Sequence, residues 1–179
     1  MEVFNMNKAF LDLAKSRFSV RKYEDRAVET DKLNTILEAG HVAPTAANKQ
    51  PCIFLVLNDK EAITKLNKAC SSHGAPLAII VCTTQNAAWI RPFDKANMGE
   101  IDSTIAADHM MMCAQDLGLG SCWITYFNPK IVRQEFNIPE GIVPINILAI
   151  GYSAEEPQSP DRHVETRKPL DSIVKYSSF

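Results

Sequence analysis

The sequence has no excess of charge of either sign and no apolar run long enough to cross a membrane. Its 19 lysines and arginines face 21 aspartates and glutamates, which gives a net charge of −2. No basic surface for nucleic acid or for an anionic membrane is therefore expected. The longest apolar-rich stretches, such as Ile145–Ile150, are far shorter than a bilayer requires. The first residues are acidic and polar and contain no apolar signal segment, which favours a cytoplasmic protein.

Cysteine and histidine are too few and too scattered for the common structural sites. The five cysteines are odd in number and contain no C-x-x-C pair, and the four histidines form no H-E-x-x-H motif. We therefore expect no disulfide framework and no metal site, but free thiols in a reducing cytosol.

The 179 residues suffice for a single domain, residues 1–179, in which helices alternate with strands. Thr30 is the expected cap of the second helix and Gly40 its end, while residues 85–100 form a lid-like excursion. This pattern predicts a mixed sheet covered by helices on both faces. The predicted helices lie at about 7–15, 30–40, 59–70, 102–117 and 129–136, and the predicted strands at 52–57, 77–83, 121–125 and 145–152.

The first candidate binding segment is Arg17-Phe18-Ser19-Val20-Arg21, directly after the first predicted helix. Alternate residues of an extended segment face the same side, so two guanidiniums and a hydroxyl would converge on one ligand edge. Such a donor set suits a phosphate or a polarised carbonyl. Taken alone, the segment is more typical of a solvated basic surface.

Three further segments have a similar character. The loop Pro44-Thr45-Ala46-Ala47-Asn48-Lys49-Gln50-Pro51 combines small residues with amide side chains, and it suits either a flat ligand or an ordinary turn. Gly118-Leu119-Gly120-Ser121-Cys122-Trp123 follows a helix and enters a strand, so it is a helix end and not a dinucleotide fingerprint. Arg162 and Arg167-Lys168 in the tail would by themselves be solvated charges.

In this order, the four segments resemble the nitroreductase family of FMN-dependent reductases. The resemblance covers the whole chain and includes Gly151-Tyr152 followed by Glu155-Glu156-Pro157. It implies an α+β fold with a mixed, largely antiparallel central sheet, helices on both faces, and a homodimer with FMN at the subunit interface. It also implies a C-terminal arm, residues 168–179, that packs on the partner subunit.

The resemblance implies a role for each matching position. Arg17, Ser19 and Arg167 match residues that hold the FMN phosphate and ribityl chain, and Arg162 or Lys168 completes that clamp because Glu165 replaces a common lysine. Arg21 matches a cation beside the pyrimidine edge of the flavin. The full set of implied cofactor-binding residues is Arg17, Phe18, Ser19, Arg21, Pro44, Thr45, Asn48, Gln50, Trp123, Ile124, Thr125, Arg162 and Arg167.

The implied activity is ping-pong transfer of reducing equivalents from NADH or NADPH to a small organic acceptor such as a nitroaromatic or a quinone. No side chain is expected to act as a nucleophile or to bind a metal, because the cofactor carries the chemistry. Trp89, Phe93, Tyr126 and Phe127 are candidate pocket walls, although core packing accounts for such aromatic residues more often.

Three alternatives remain open. One is a flavoprotein of the same fold with a specialised reaction, namely dehalogenation, dehydrogenation or flavin cleavage. Another is a non-enzymatic FMN-binding module. The weakest is a thiol enzyme that pairs Cys122 with His109, because apolar neighbours should raise the pKa of that thiol.

Overall fold

A four-stranded sheet in the order β1-β2-β4-β3 forms the centre of the computed structural model, which describes residues 9–179. Neighbouring strands are antiparallel throughout, and within these residues the one parallel contact is an isolated bridge between Ser19 and Ser121. The predicted α+β fold with a largely antiparallel sheet is confirmed. The elements are α1 (Ala9–Ser16), α2 (Thr30–His41), a 3₁₀ turn (Ala46–Asn48), β1 (Cys52–Leu57), α3 (Lys60–Leu66), β2 (Leu77–Thr84), α4 (Gly99–Asp116), β3 (Gly120–Ile124), α5 (Pro129–Glu135), β4 (Ile142–Gly151), α6 (Arg162–Thr166) and α7 (Leu170–Ile173).

Both faces of the sheet are buried, as the continuous apolar strands predict. Odd-numbered residues of β2, such as Ile79 and Val81, pack with α2 and α4 on one face. Even-numbered residues, such as Ile80, pack with α3 and α5 on the other face. Because helices cover both faces, a ligand can approach the sheet only at its edges and at the ends of its strands.

The helix α4 is the central helix of one core, and its two ends differ in how well the sequence predicts them. The helix begins at Gly99, three residues before the predicted start, and Gly118 ends it with a φ of +74°.

Gly40 was expected to end α2, and that prediction is wrong. Gly40 lies inside α2, where a Cβ atom would come within 2.9 Å of the Met110 side chain on α4, so its role is close helix packing.

The remaining boundaries differ from the predicted ones by a few residues. Strand β4 begins at Ile142 instead of residue 145, and α1 extends to Ser16, while residues 7 and 8 of the predicted first helix lie outside the described residues. The excursion between β2 and α4 contains turns and a bridge between Ile90 and Asn97 but no helix. No helix formed by residues 9–179 is both long and apolar enough to cross a membrane.

Candidate functional site

A cavity of about 360 Å³ lies between the end of α1 and α6. It is lined by Arg17, Phe18, Ser19, Arg21, Gln158, Arg162, His163, Thr166 and Arg167, and we refer to it as the arginine cavity. Four of its lining residues are arginines, and no carboxylate from residues 9–179 joins them. The structure therefore brings together the two segments, near residue 17 and near residue 162, that the sequence separates most widely.

The segment from Arg17 to Arg21 reaches the cavity because it packs on the edge of β3. The N–H of Val20 donates a hydrogen bond of 3.0 Å to the carbonyl of Ser121. The side chains of Phe18 and Val20 are buried. Since side chains alternate along an extended segment, the three odd-numbered residues of this segment face the cavity, as predicted.

This close packing depends on Gly120. A Cβ atom at Gly120 would lie 2.5 Å from Cγ2 of Val20. Carbon atoms in contact normally stay about 3.5–4 Å apart. The two glycines of Gly118-Leu119-Gly120 thus have different roles, because Gly118 ends α4 and Gly120 admits the arginine-bearing segment.

Three donors in the cavity are left free. Within residues 9–179, the side chains of Arg17, Ser19 and Arg167 make no hydrogen bond or ion pair. Burial lowers the pKa of the Arg17 guanidinium, and the positive charges of Arg162 and Arg167 lower it further, while Asp108 acts in the opposite direction. An arginine nevertheless stays protonated in proteins. The cavity therefore holds repelling cations whose donors suit an anion.

Arg162 has a different function from its cationic neighbours. Its guanidinium donates to the carbonyl oxygens of Lys15 at 3.0 Å, Ser159 at 2.8 Å and Arg17 at 2.5 Å. Three backbone acceptors occupy most of its donors. Arg162 thus fixes α6 against the end of α1 and forms a wall of the cavity.

The backbone of Arg21 is held by Glu155, an acidic residue to which no binding role was assigned from the sequence. The carboxylate of Glu155 accepts the backbone N–H of Arg21 at 2.5 Å and that of Lys22 at 3.2 Å. The Arg21 side chain donates to the carbonyl of Ser19 at 3.4 Å. Glu155 therefore fixes the backbone from which the Arg21 guanidinium extends.

The loop of residues 44–50 lies elsewhere in the single chain, although Pro44, Thr45, Asn48 and Gln50 were expected to reach the same cofactor. It contacts the first turn of α4 through a hydrogen bond from the N–H of Ala46 to Asp102. Arg17, in contrast, lies close enough to Asp108 for the two charges to interact. Asp102 and Asp108 are about 9 Å apart along the axis of α4. None of the loop residues lines the arginine cavity.

The predicted residues of β3 also lie away from the cavity. Trp123 is half-buried against the α4 core, and Ile124 is buried on the opposite face of the sheet. Thr125 is exposed just beyond the strand. Phe93 and Tyr126 are each 95% exposed, so core packing is the wrong interpretation of these two aromatic residues.

Gln158, His163 and Thr166 line the cavity and were missed from the sequence. A signal for them existed, because they share the tail segment with the two predicted arginines. Residues 163, 166 and 167 cluster because α6 is one short turn that ends at Thr166. Neutral polar residues in a tail carry little chemical information until the turn that gathers them is known.

The structure gives the thiol alternative no support. All five cysteines are unpaired, and burial raises the pKa of Cys122 and raises that of Cys82 to about 11. The Nδ1 atom of His109 lies 3.0 Å from the carbonyl of Ile105 on its own helix. No hydrogen bond joins Cys122 to His109 within the described chain.

Comparison with known proteins places these features in a family. The model of the nitroreductase family matches residues 14–75 and 72–152. A protein of Methanothermobacter thermautotrophicus, which bears the provisional name NADH dehydrogenase/NAD(P)H nitroreductase, is 31% identical over 159 residues, covering 84% of this chain and 81% of its own. The FMN reductase [NAD(P)H] of Bacillus subtilis is 26% identical over 197 residues, covering 96% and 79%.

A solved structure agrees with this assignment. The crystal structure of a nitroreductase family protein from Clostridium difficile 630 is 48% identical and superposes with a TM-score of 0.93, covering 94% of this chain and 98% of that one. This chain belongs to the nitroreductase family.

Proposed function

We propose that this protein binds FMN and transfers reducing equivalents from NADH or NADPH to a small organic acceptor, such as a nitroaromatic or a quinone. The observation that carries the proposal is the arginine cavity, in which Arg17, Ser19 and Arg167 present free donors. Membership of the nitroreductase family and the names of the two relatives support both the flavin and the nicotinamide donor.

The residues of the cavity fit the phosphate of FMN. A phosphate monoester carries about −1.5 to −2 charges at neutral pH and offers three strong acceptor oxygens. Guanidinium forks match that geometry, and a hydroxyl adds a further donor. In this proposal Arg17, Ser19 and Arg167 bind the phosphate, while Arg162 keeps the wall in place through its bonds to backbone carbonyls.

When bound, FMN supplies hydride chemistry, by which electrons from the nicotinamide pass to an acceptor that uses the same pocket afterwards in a ping-pong sequence. The contribution of the chain is binding and electrostatic stabilisation. Arg21, on a backbone fixed by Glu155, is proposed to stabilise the negative charge that reduction places on the pyrimidine edge of the flavin. No side chain is proposed as a nucleophile, which fits the high pKa values of the buried thiols.

The rest of the proposed site comes from a second copy of the chain. Pro44, Thr45, Asn48 and Gln50 do not line the arginine cavity of their own chain. Two exposed apolar side chains lie close to that loop, Val42 directly after α2 and Ile101 on α4, and they suit an interface. A homodimer would bring this surface to the partner's cavity, so that each FMN lies between two subunits.

The C-terminal arm, residues 168–179, is the second proposed contact between subunits. Its side chains Leu170, Ile173, Tyr176 and Phe179 are all more than 60% exposed. Apolar residues at regular spacing on a terminal segment have no core to enter in their own chain. We propose that the arm covers apolar surface of the partner subunit.

Deletion of residues 168–179 is therefore expected to convert the dimer into a monomer at micromolar concentration. The physical reason is the loss of four exposed apolar side chains that the proposed interface buries. Sedimentation velocity on the full chain and the deletion variant measures this. Val164→Ser is the matched control, since Val164 is 86% exposed but precedes the arm. A monomeric full chain, or a deletion variant that stays dimeric, contradicts the proposal.

The activity itself is tested by the visible spectrum of the purified protein, before and after NADH or NADPH is added without air. We expect flavin absorption that bleaches with one of the two donors and returns when a nitroaromatic or a quinone is added. The returning absorption distinguishes a general reductase from a flavoprotein with a specialised reaction. Flavin that neither donor bleaches indicates a non-enzymatic binding module, and a protein that binds no FMN after reconstitution contradicts the proposal.

The compartment proposed for this protein is the cytoplasm. Its five cysteines are all free thiols, and Cys82 and Cys122 are buried. Free thiols persist in reducing compartments, and NADH and NADPH are abundant there.

A further inference from the structure

Asp102 is a buried acidic residue on the first turn of α4 that neither the arginine cavity nor the sheet uses. The residue as a whole is only 1% exposed. The Oδ1 atom accepts the backbone N–H of Ala46 at 2.8 Å. The Oδ2 atom has no hydrogen-bond partner within residues 9–179. The bond to Ala46 is thus the only hydrogen bond of this carboxylate in that part of the chain.

Among residues 9–179, that bond is also the only hydrogen bond that ties residues 44–50 to another element, and the next residue, Pro51, accepts the N–H of Thr84 on β2 at 2.8 Å. The other hydrogen bonds of these residues join loop atoms to each other, as from the N–H of Gln50 to Oγ1 of Thr45 at 3.0 Å and from the N–H of Asn48 to the carbonyl of Thr45 at 2.9 Å. Within the described residues, Asp102 alone fixes the position of the loop by a polar contact.

The loop needs such an anchor because its backbone is strained. Ala47, Asn48 and Gln50 have φ values of +50°, +53° and +51°. Residues with a Cβ atom rarely adopt this left-handed conformation, and they keep it only where the surroundings impose it. A loop released from Asp102 would relax toward ordinary conformations and would no longer present the same backbone groups.

Helix-dipole stabilisation accounts for only part of this arrangement. A carboxylate in the first turn of a helix is favoured by the partial positive charge there. That effect is available at the exposed surface as well, as Glu100 on the same turn shows. Burial of a charged carboxylate is costly unless it forms a strong bond, and a bond from an N–H to a charged oxygen is stronger than one to a neutral oxygen.

We infer that Asp102 is a positioning residue for the FMN site, which it serves by holding the 44–50 loop in its strained conformation through Ala46. The inference rests on the proposed function, in which this loop contacts the flavin. Asp102 itself does not touch the cofactor. Loss of the anchor lowers FMN affinity through the loop and leaves the arginine cavity intact.

Two variants break the same bond from opposite sides. Asp102→Ala removes the acceptor. Ala46→Pro removes the donor without changing Asp102, and the preceding Thr45 already has the extended conformation that a following proline requires, with φ −129° and ψ 152°. Proline is also tolerated at the first position of a helical turn, which Ala46 occupies. If Asp102→Ala fails to fold, Ala46→Pro still tests the inference.

The first measurement uses trypsin on the FMN-free protein, because Lys49 provides a cleavage site inside the loop. We expect cleavage between Lys49 and Gln50, followed by mass spectrometry, to be about tenfold faster in both variants than in the wild type. Asp102→Asn keeps an oxygen acceptor but a neutral one, so its cleavage rate should lie between those of the wild type and Asp102→Ala. Ser103→Ala is the matched control, since buried Ser103 donates to the carbonyl of Cys82 and to Sγ of Cys52 on β1 and, within the described chain, makes no hydrogen bond to residues 44–50.

The second measurement is the Kd for FMN, which should rise about tenfold in Asp102→Ala and Ala46→Pro and stay unchanged in Ser103→Ala. Unchanged cleavage at Lys49 in both variants overturns the inference, and so does a released loop with unchanged FMN affinity. If the wild type binds no FMN, the proposed function fails, and the cleavage rates alone then decide whether Asp102 holds the loop.

Discussion

Replacement of Arg17 by alanine is expected to raise the Kd for FMN by roughly 10- to 150-fold. This range corresponds to the loss of a hydrogen bond to a charged group, about 1.5–3 kcal/mol. Arg17 is half-buried, faces the cavity and has no partner for its guanidinium among the described residues. Its full hydrogen-bonding capacity is therefore available to a ligand phosphate.

In the absence of FMN, Arg17→Ala should be as stable as the wild type or more stable. Burial and the charges of Arg162 and Arg167 all disfavour a protonated Arg17 in the folded state. Removal of the guanidinium relieves that repulsion, so the free energy of unfolding in urea should not fall. A variant that loses FMN only because it unfolds would instead show a lower free energy of unfolding.

Two further variants make the result specific. Arg17→Lys keeps the charge but loses the planar fork, and its Kd should lie between those of the wild type and the alanine variant. Lys65→Ala removes an exposed positive charge that pairs with Glu61 on α3, far from the cavity in the fold. Titration of FMN by fluorescence measures all four proteins, and an unchanged Kd in Arg17→Ala contradicts the phosphate site.

Replacement of Gly120 by alanine is expected to destabilise the fold by about 1–3 kcal/mol, the usual cost of an added methyl group in a packed core. The new Cβ atom would lie 2.5 Å from Cγ2 of Val20, so one of the two must move. Val20 belongs to the segment that carries Arg17 and Arg21. We therefore expect weaker FMN binding together with the lower free energy of unfolding.

A double-mutant cycle with Val20→Ala tests this steric cause. Shortening Val20 removes the Cγ2 atom, so the double variant should be less destabilised than the sum of the two single variants. Gly118→Ala is a useful control, because that glycine has a φ of +74° and open space around it. It should lower stability through backbone strain and leave the Kd for FMN unchanged. Strict additivity of Gly120→Ala and Val20→Ala would show that the two residues do not clash.

The sequence predicted the sheet well because its strands are continuous in β-branched and apolar residues. Strand β1 has the predicted bounds, β2 extends one residue beyond its predicted end, and β3 begins and ends one residue earlier than predicted. Gly40 was misinterpreted because a glycine near a helix end usually terminates it, whereas here Met110 on another helix requires the small residue. Such tertiary packing leaves no local trace in the sequence.

Only the part of the candidate site that depends on local geometry could be predicted from the sequence. Arg17, Ser19 and Arg21 alternate within one segment, so their convergence follows from local geometry. The bonds of Arg162 to the carbonyls of Lys15 and Arg17, and the contact of Glu155 with the Arg21 N–H, join segments more than 100 residues apart. No local pattern predicts such long-range contacts. The position of the 44–50 loop depends on Asp102 and, in the proposed dimer, on the other subunit.

The bond from Arg162 to the carbonyl of Arg17 spans 145 residues, and it has a consequence for biosynthesis. During translation, Arg17 and Ser19 leave the ribosome long before Arg162 and Arg167 are made. The arginine cavity therefore cannot form until residues 158–167 have been made, which is after all four strands of the sheet. A ligand that needs both segments cannot be bound while only the first of them has been made, so it cannot act as a template for the early stages of folding.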